Sequence, residues 1–274
     1  MRTLFTLSLR DNSSRLPGKV WEGITSNHSL ATMALMRLED AIRMSLLRPQ
    51  LDPIVPAPMV CTSTETRDTI CADFAYTRGA LCYRGEPEDV LMRLLGAAKS
   101  VDADVLVNVT ADNPLVSAYH LFQLAMYRHK HELDFVQPVG LPVGLYGQVV
   151  TRKALEQAVR HKALNDTATE CWPKFFTDPS CPFSVEVGEM PVHLYAGGNQ
   201  YRAKLLQKMR LTVDTLEDLE VVREVLRILG EAGQSKSVWS IVDVLQEHPE
   251  IMALNAGVTQ KAVTPPKWRI RTHG

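Results

Sequence analysis

A short segment near the start of the chain combines cations, hydroxyls and a glycine. Residues 10–19 include Arg10, Ser13, Ser14, Arg15, Gly18 and Lys19. Arginine can hold phosphate oxygens through two parallel hydrogen bonds, lysine acts as a point charge, and backbone N–H groups around a glycine can bind an anion. The segment therefore predicts a triphosphate site, with a solvated basic turn as the alternative.

Two aspartates stand at positions where packing does not require a carboxylate. Asp112 follows the apolar residues 105–109, and Asp214 follows a second short run, 211–213. Mg²⁺ prefers oxygen ligands and needs only one or two protein carboxylates when phosphates complete its coordination. We therefore predict that Asp112 and Asp214 hold Mg²⁺. The alternative is that each caps a helix or forms a turn, because Asn113-Pro114 and Thr215 follow them.

Two common nucleotide-binding signatures are absent from the sequence. Gly18-Lys19 is followed by Val20, and no glycine stands five residues before Gly18, so the basic segment is not a Walker A motif. No G-x-G-x-x-G follows a predicted strand either. The sequence therefore gives no support to a P-loop NTPase or a dehydrogenase.

Short apolar runs alternate with helical periodicity in the first half of the chain. The predicted strands are residues 4–9, 58–61, 81–83 and 104–109. The predicted helices are residues 69–76, residues 88–98, and one helix with Leu35, Leu38, Ile42 and Leu46 on one face. Strands separated by helices of this length pair in parallel through right-handed crossovers. The pattern indicates a doubly wound α/β fold with a mostly parallel sheet.

The loops after these strands are polar. Ligands of such sheets bind beyond the carboxyl ends of the strands, so we expect residues 10–19, 62–65 and 110–114 to converge on one crevice.

The second half of the chain is less regular. Six prolines interrupt residues 137–203, which we interpret as a small inserted lobe for the acceptor or for dimerisation, with one helix at 152–161. A strand at 210–214 is predicted to precede a helix capped by Thr215 with Asp218 and ended by Gly230. Residues 1–230 are thus predicted to form a single domain. Residues 231–274 are predicted to add a helical extension, with a helix at 240–246, and a basic tail.

Composition excludes several classes of protein. Lys and Arg number 30 against 31 Asp and Glu, which leaves too little net charge to hold nucleic acid or an anionic membrane. No segment approaches the roughly 18 apolar residues of a membrane span, and no signal peptide is recognisable. The five cysteines include no C-x-x-C pair, which argues against a disulfide framework or a zinc site. We expect a cytoplasmic protein.

Six blocks of sequence, in order and with matching spacing, resemble one enzyme family. They are Arg10 with residues 14–19 (SRLPGK), residues 61–64 (CTST) with Asp68, residues 83–91 (YRGEPEDVL), residues 111–115 (ADNPL), residues 211–219 (LTVDTLEDL), and residues 248–250 (HPE) with 254–256 (LNA). The chain resembles the acylneuraminate and 3-deoxy-manno-octulosonate cytidylyltransferases, and most of all the spore-coat polysaccharide biosynthesis cytidylyltransferases.

The resemblance implies a nucleotide-diphospho-sugar transferase fold, CTP as donor, and Mg²⁺ at Asp112 and Asp214. It implies catalytic roles for Arg10, Lys19 and Asp112. The nucleotide contacts that it implies are Leu9, Arg10, Ser14, Arg15, Lys19, Thr62, Ser63, Arg84, Thr110 and Ala111. For Arg84, a surface cation in a glycine turn is an equal alternative. The resemblance also favours a homodimer.

The acceptor half departs from the family pattern. Where spore-coat relatives tend to carry Arg, Asp and Glu, this chain has Val143, Tyr146 and Gln148, and where they tend to read Arg-Glu-His it has residues 169–171, Thr-Glu-Cys. We predict that Tyr146, Gln148 and Glu170 contact the acceptor. An unmatched polar group in a closed site costs about 1–3 kcal/mol, so these changes leave the identity of the acceptor open.

The sequence as a whole predicts a cytidylyltransferase that transfers CMP from CTP to a sugar-acid-like acceptor and releases pyrophosphate. Two alternatives remain at this point. One is an enzyme of the same fold that uses another nucleotide or a non-sugar or phosphorylated acceptor. The other is a non-catalytic nucleotide-binding protein.

Overall fold

The computed structural model describes residues 1–48, 51–166, 169–191, 209–230, 237–260 and 262–269. Within these residues one sheet has the strand order β3-β2-β1-β4-β6-β5-β7. The strands are β1 (Thr3–Ser8), β2 (Met59–Ser63), β3 (Leu81–Gly85), β4 (Val105–Thr110), β5 (Phe135–Val139), β6 (Gln148–Thr151) and β7 (Val187–Pro191). β6 is antiparallel to both of its neighbours, and the other pairs are parallel. The predicted mostly parallel α/β sheet is confirmed.

Helices cover both faces of this sheet. They are α1 (Leu30–Leu46), α2 (Thr69–Thr77), α3 (Val90–Ser100), α4 (Ala118–His131), α5 (Arg152–His161), α6 (Lys174–Thr177), α7 (Leu216–Leu229), α8 (Val238–Glu247) and α9 (Pro249–Leu254). Because side chains alternate along a strand, Phe5 and Leu7 of β1 enter the core beneath α1 and α4, and Leu4 enters the core beneath α3 and α5. This burial on both faces explains why the strands are almost continuously apolar.

The register of β1 and β4 positions the polar loops that follow these two strands. The pairing runs from Thr3 opposite Val105 to Ser8 opposite Thr110, so the two strands end at the same level. The Ala111 N–H then donates to the Ser8 carbonyl at 3.0 Å. The loops that follow β1 and β4 therefore start side by side at one edge of the sheet.

The predicted strand at 210–214 is wrong. Arg210 makes only an isolated bridge with Val143, and residues 211–214 are not in a strand. Leu211 and Val213 are buried, but against α7, α8 and α9 rather than in the sheet. With no neighbouring strand to pair with, the segment instead donates from Leu211 N to Val143 O at 2.8 Å and from Val213 N to Asp112 O at 2.9 Å.

The predicted ends of the next helix are confirmed. The Thr215 hydroxyl accepts from Asp218 N and the Asp218 carboxylate accepts from Thr215 N, which forms a capping box at the start of α7. The helix ends at Leu229, and Gly230 follows with a φ of 75°. α8 spans Val238–Glu247, close to the predicted 240–246.

The region predicted as an inserted lobe contributes to the central sheet. β6 pairs with β4, and β7 pairs with the far side of β5. Residues 192–203 lie outside the described residues, and an acceptor or dimerisation role for 137–203 stays a prediction. Among the described residues, no helix is long and apolar enough to cross a membrane.

Candidate active site

A cavity of about 530 Å³ opens at the carboxyl ends of β1 and β4. The segment after β1, the segment after β4 and the start of β6 all contribute to its wall. β6 runs antiparallel to β4, so its first residue, Gln148, lies at the same edge as the last residues of β4. The crevice expected at the strand ends therefore exists. The loop after β2 is not part of its wall.

Lys19 lies between the two predicted metal ligands. Its ammonium is 3.2 Å from Asp112 Oδ2 and 2.9 Å from Asp214 Oδ1, and it also donates to the Val213 carbonyl at 2.8 Å. Only 11% of the Lys19 side chain is exposed. Asp112 and Asp214 are 102 residues apart in sequence, and the fold brings both to one ammonium group.

The electrostatics of this group favour its charged form. Burial alone would lower the pKa of Lys19, but attraction to Asp112 and then to Asp214 outweighs burial and raises it. For Asp214, burial would raise the pKa, but Lys19 and Arg15 lower it overall. At neutral pH, Lys19 is therefore a cation and Asp214 an anion.

Asp214 also binds two arginines. Its Oδ2 is 3.0 Å from Arg15 and 2.7 Å from Arg210. Arg210 in turn contacts Asp218, the capping residue of α7, at 3.0 Å. The position of Asp214 is thus fixed by the start of α7, and Arg15 from the basic segment reaches the same carboxylate.

Arg10 is held by carboxylates rather than left open to a ligand. Its guanidinium is 2.6 Å from Glu65, 3.0 Å from Asp68 and 3.1 Å from Glu88. Burial would raise the pKa of Asp68, but hydrogen bonds from Ser63, from the Asp11 N–H and from Arg10 lower it overall. Arg10 lines the cavity, yet it reaches a phosphate only by exchanging one of these partners.

Most of the predicted site residues lie on the wall of the cavity. These are Leu9, Arg10, Ser14, Arg15, Lys19, Thr110, Ala111, Asp112, Tyr146, Gln148, Glu170 and Asp214. Thr62, Ser63 and Arg84 are not among the lining residues. Thr62 and Ser63 are fully buried, and Arg84 donates to the carbonyls of Ser63 and Glu65 at 3.0 and 2.9 Å. In this structure they support the loop after β2, and their nucleotide contacts stay predictions.

Two glycines allow the loop between β5 and β6, residues 140–147, to approach the site. Gly144 has a φ of 106°, and a Cβ there would lie 2.2 Å from the Leu211 backbone. A Cβ on Gly147 would lie 2.4 Å from the Asn108 carbonyl. The backbone between them carries Tyr146, whose phenol has its pKa raised by burial above the ordinary 10.0 and therefore stays a neutral hydrogen-bonding group.

Sequence reasoning missed several lining residues. Asp166, Trp172 and Phe175, from the same part of the chain as Glu170, line the cavity, and residues 260 and 262–265 of the C-terminal tail also line it. An aromatic pair at 172 and 175 looks like ordinary core in the sequence, and the tail carries no periodic pattern. Only tertiary packing brings them to the cavity.

This arrangement belongs to a known family. A family model described as cytidylyltransferase matches residues 7–240, which include the basic segment, both aspartates and the loop between β5 and β6. The chain belongs to the cytidylyltransferase family. The resemblance found in the sequence motifs is thereby confirmed.

Two curated relatives match this cytidylyltransferase over nearly their full lengths. An uncharacterised protein of Methanocaldococcus jannaschii is 27% identical over 262 residues, covering 96% of this chain and 98% of the relative. The spore coat polysaccharide biosynthesis protein SpsF of Bacillus subtilis is 26% identical over 247 residues, covering 90% and 95%.

Solved structures share the fold. A cytidylyltransferase from Leptospira borgpetersenii superposes with a TM-score of 0.73 at 21% identity, covering 96% of this chain and all of that one. A CMP:2-keto-3-deoxy-manno-octonic acid synthetase in complex with CTP gives a TM-score of 0.55 at 15% identity, covering 84% of this chain and all of that one. These likenesses confirm the predicted α/β transferase fold.

Proposed function

We propose that this cytidylyltransferase transfers CMP from CTP to a hydroxyl of a sugar-acid-like acceptor and releases pyrophosphate. The observation that carries the proposal is the placement of Lys19 between Asp112 and Asp214 in a cavity at the strand ends. Membership of the cytidylyltransferase family supports CTP as the donor. The name of the Bacillus subtilis relative suggests that the product serves polysaccharide synthesis.

In the proposed reaction, the acceptor oxygen attacks the α-phosphorus in line with the bond to the β-phosphate. A new P–O bond forms to the acceptor, the bond to pyrophosphate breaks, and the hydroxyl proton is lost to solvent. Lys19 and Arg15 neutralise negative charge on the phosphates, as fixed cations do in other phosphoryl-type transfers. Lys19 carries its charge before any ligand binds, because attraction to Asp112 and Asp214 outweighs burial and raises its pKa.

Mg²⁺ is part of the proposal, and the residues present fit it. Asp112 and Asp214 direct carboxylate oxygens to one point, where they now hold the Lys19 ammonium. No cluster of three or more His, Cys, Asp or Glu side chains suited to a metal occurs in the described residues. Two carboxylates would therefore need phosphate oxygens and water as further ligands, which is the usual mode for Mg²⁺. The bound ion would supply charge neutralisation at the phosphates.

A pyrophosphate-release assay tests the proposal. The purified chain is given CTP, UTP, GTP or ATP with Mg²⁺ and a panel of N-acetylneuraminate, 3-deoxy-manno-octulosonate and glucuronate. We expect turnover with CTP, and a loss of at least about 100-fold in Asp112→Asn, because that variant removes one of the two carboxylates that would hold Mg²⁺.

A matched control variant is available. Asp102→Asn makes the same chemical change at an exposed residue whose carboxylate contacts Arg152 at 2.8 Å, away from the cavity. It should keep the wild-type rate. Equal activity of Asp112→Asn and Asp102→Asn would rule out the proposed site. Stabilisation by CTP without any turnover would favour a non-catalytic nucleotide-binding protein instead.

A further inference from the structure

The C-terminal segment of the chain crosses the cavity after α9. Asn255 follows this helix and is buried, and its side-chain amide donates to the Arg210 carbonyl at 3.0 Å and to Asp218 at 2.9 Å. Gln260 then accepts a hydrogen bond from Arg210, the arginine that contacts Asp214. The segment therefore starts beside the Asp214 end of the cavity.

The far end of the segment is attached to the other side of the cavity. The Ala163 N–H donates to the Lys267 carbonyl at 2.7 Å, and the Lys267 N–H donates to Asp166 Oδ2 at 2.9 Å. The Arg269 N–H donates to the His161 carbonyl at 2.8 Å. We call residues 262–269 the C-terminal strap.

Trp268 is the main side-chain contact of the C-terminal strap. Its ring meets Phe175 edge-on with centroids 5.3 Å apart and Phe183 edge-on at 5.9 Å. Its indole N–H donates to the Ser180 hydroxyl at 3.0 Å. Phe175 lines the cavity, so Trp268 fixes the strap directly behind the cavity wall. Edge-to-face aromatic pairs and a satisfied indole N–H make this attachment specific as well as apolar.

Between its attachments at Gln260 and Lys267, the segment carries apolar side chains that are exposed rather than packed into the core. Residues 262–265 line the cavity, and Val263 is nevertheless 48% exposed. Pro265 and Pro266 restrict the backbone just before Trp268, which lowers the entropy lost when the strap is held in one place. A fixed, partly apolar segment that faces a cavity is suited to contact a ligand.

The attachment of the strap's far end points to the acceptor rather than to the phosphates. Its far end is attached to Asp166 and Phe175, and the segment that joins these two also supplies Glu170 and Trp172 to the cavity wall. Gln260, just before the strap, lies instead beside the cations, because Arg210 joins it to Asp214, which Lys19 and Arg15 contact.

We propose that residues 262–265 form the outer wall of the acceptor subsite, and that Trp268 is a positioning residue that holds this wall in place. This inference rests on the proposed function. Val263 and Pro265 line the same cavity as Tyr146 and Gln148, which bear a hydroxyl and an amide. An acceptor ring with one apolar face and several hydroxyls fits these two chemistries.

Steady-state kinetics of the full-length chain test the inference. Pyrophosphate release is measured with CTP and the acceptor of the panel above that the wild type turns over fastest. In Trp268→Ala we expect the KM for the acceptor to rise about tenfold, because an unattached wall must be ordered at each binding event. The KM for CTP and the rate at saturating acceptor should stay within about twofold. Trp268→Phe, which keeps the ring contacts, should stay near the wild type.

A second variant covers the case in which Trp268→Ala does not fold. Val263→Trp adds bulk to an exposed residue of the strap and should change the acceptor KM by about tenfold without lowering the melting temperature. Its control is Val187→Trp, the same change at an exposed valine of β7 outside the cavity, which should leave the acceptor KM unchanged.

The possible results separate the two proposals. Wild-type turnover with an acceptor KM that neither strap variant changes, or a KM for CTP that changes equally, would overturn the strap proposal alone. No CTP-dependent pyrophosphate release by the wild type with any acceptor of the panel would overturn the proposed function, and the strap proposal with it.

Discussion

At the scale of single residues, the site is a small set of charges that hold one another. Lys19, Asp112 and Asp214 share contacts of 2.9 and 3.2 Å, and Arg15 and Arg210 extend the group through Asp214. Counting Asp218, which Arg210 also contacts, three cations are matched by three carboxylates, so a triphosphate would bind by exchanging some of these ion pairs. Replacing any one member changes the charge that the others experience.

Lys19→Ala tests the role of the ammonium. We expect kcat to fall by about 100- to 1000-fold, the loss typical when one preorganised charge is removed from developing negative charge. Lys99→Ala is the matched control, because the Lys99 ammonium is exposed and contacts the Glu156 surface carboxylate at 3.6 Å. Initial rates at saturating CTP measure both. Equal rates for the two variants would remove Lys19 from the mechanism.

Asp214→Asn tests how much the ionised Asp214 carboxylate contributes to the stability of the fold. Because its pKa in the folded chain lies below the ordinary 3.8, ionised Asp214 stabilises the fold fully above that pH, and this contribution is lost as the pH falls through the folded pKa. Urea unfolding should therefore show the variant less stable by about 1–3 kcal/mol between pH 6 and 8. The difference should shrink below about pH 4. A difference that does not depend on pH would contradict the electrostatic explanation.

At the scale of the elements, close backbone approach builds the site. The β1–β4 register aligns the loops that carry Lys19 and Asp112, and Val213 N bonds to Asp112 O at 2.9 Å, which joins the segment before α7 to the loop after β4. The loop between β5 and β6 reaches this junction because Gly144 lies against the Leu211 backbone. Each of these contacts involves backbone atoms, which side-chain patterns in a sequence do not reveal.

Gly144→Ala tests this close approach. A Cβ would lie 2.2 Å from backbone atoms of Leu211, and the φ of 106° is unfavourable for alanine, so we expect a loss of more than about 3 kcal/mol in the free energy of unfolding. Gly79→Ala is the control, since Gly79 has a φ of 67° but open space around its Cβ position, and it should cost about 1 kcal/mol. Chemical denaturation compares the two. Similar losses would mean that backbone conformation, and not the contact with Leu211, requires Gly144.

At the scale of the whole molecule, the cavity is built from distant parts of the chain. Its lining residues are drawn from 8–20, 110–113, 143–148, 169–175, 212–214 and 262–265, together with Val90, Arg93, Asp166 and Gln260. A ligand that fills the cavity therefore contacts the sheet, the segment before α7 and the C-terminal strap together. Its binding should stabilise the molecule as a unit.

CTP binding should be visible in the melting temperature. At a concentration 100 times its Kd, a ligand adds about 2.7 kcal/mol, which raises the melting temperature of a chain of this size by about 5–10 °C. We expect this shift with CTP and Mg²⁺, a smaller one with UTP, GTP or ATP at the same concentration, and a reduced shift in Lys19→Ala. Asp102→Asn should behave like the wild type. An equal shift with all four nucleotides would argue against selection of CTP.

The sequence by itself determined the fold class and the chemical character of the site. Short apolar runs and helical patterns identified β1 to β4 and α1, α2 and α3, because burial of apolar residues follows the geometry of each element. Because ligands of such sheets bind beyond the carboxyl ends of the strands, Lys19, Arg15 and Asp112 were then expected in one crevice. The same reasoning could not detect β5, β6 and β7, whose pairing depends on partners far away in the chain.

Tertiary structure decided the rest. Residues 210–214, which were expected to form a strand, form an irregular segment before α7, because Leu211 and Val213 are buried against helices and have no strand beside them. The tertiary structure also paired Arg10 with three carboxylates and placed the C-terminal strap over the cavity. These outcomes depend on which surfaces meet once the chain is packed, and local periodicity carries no information about such meetings.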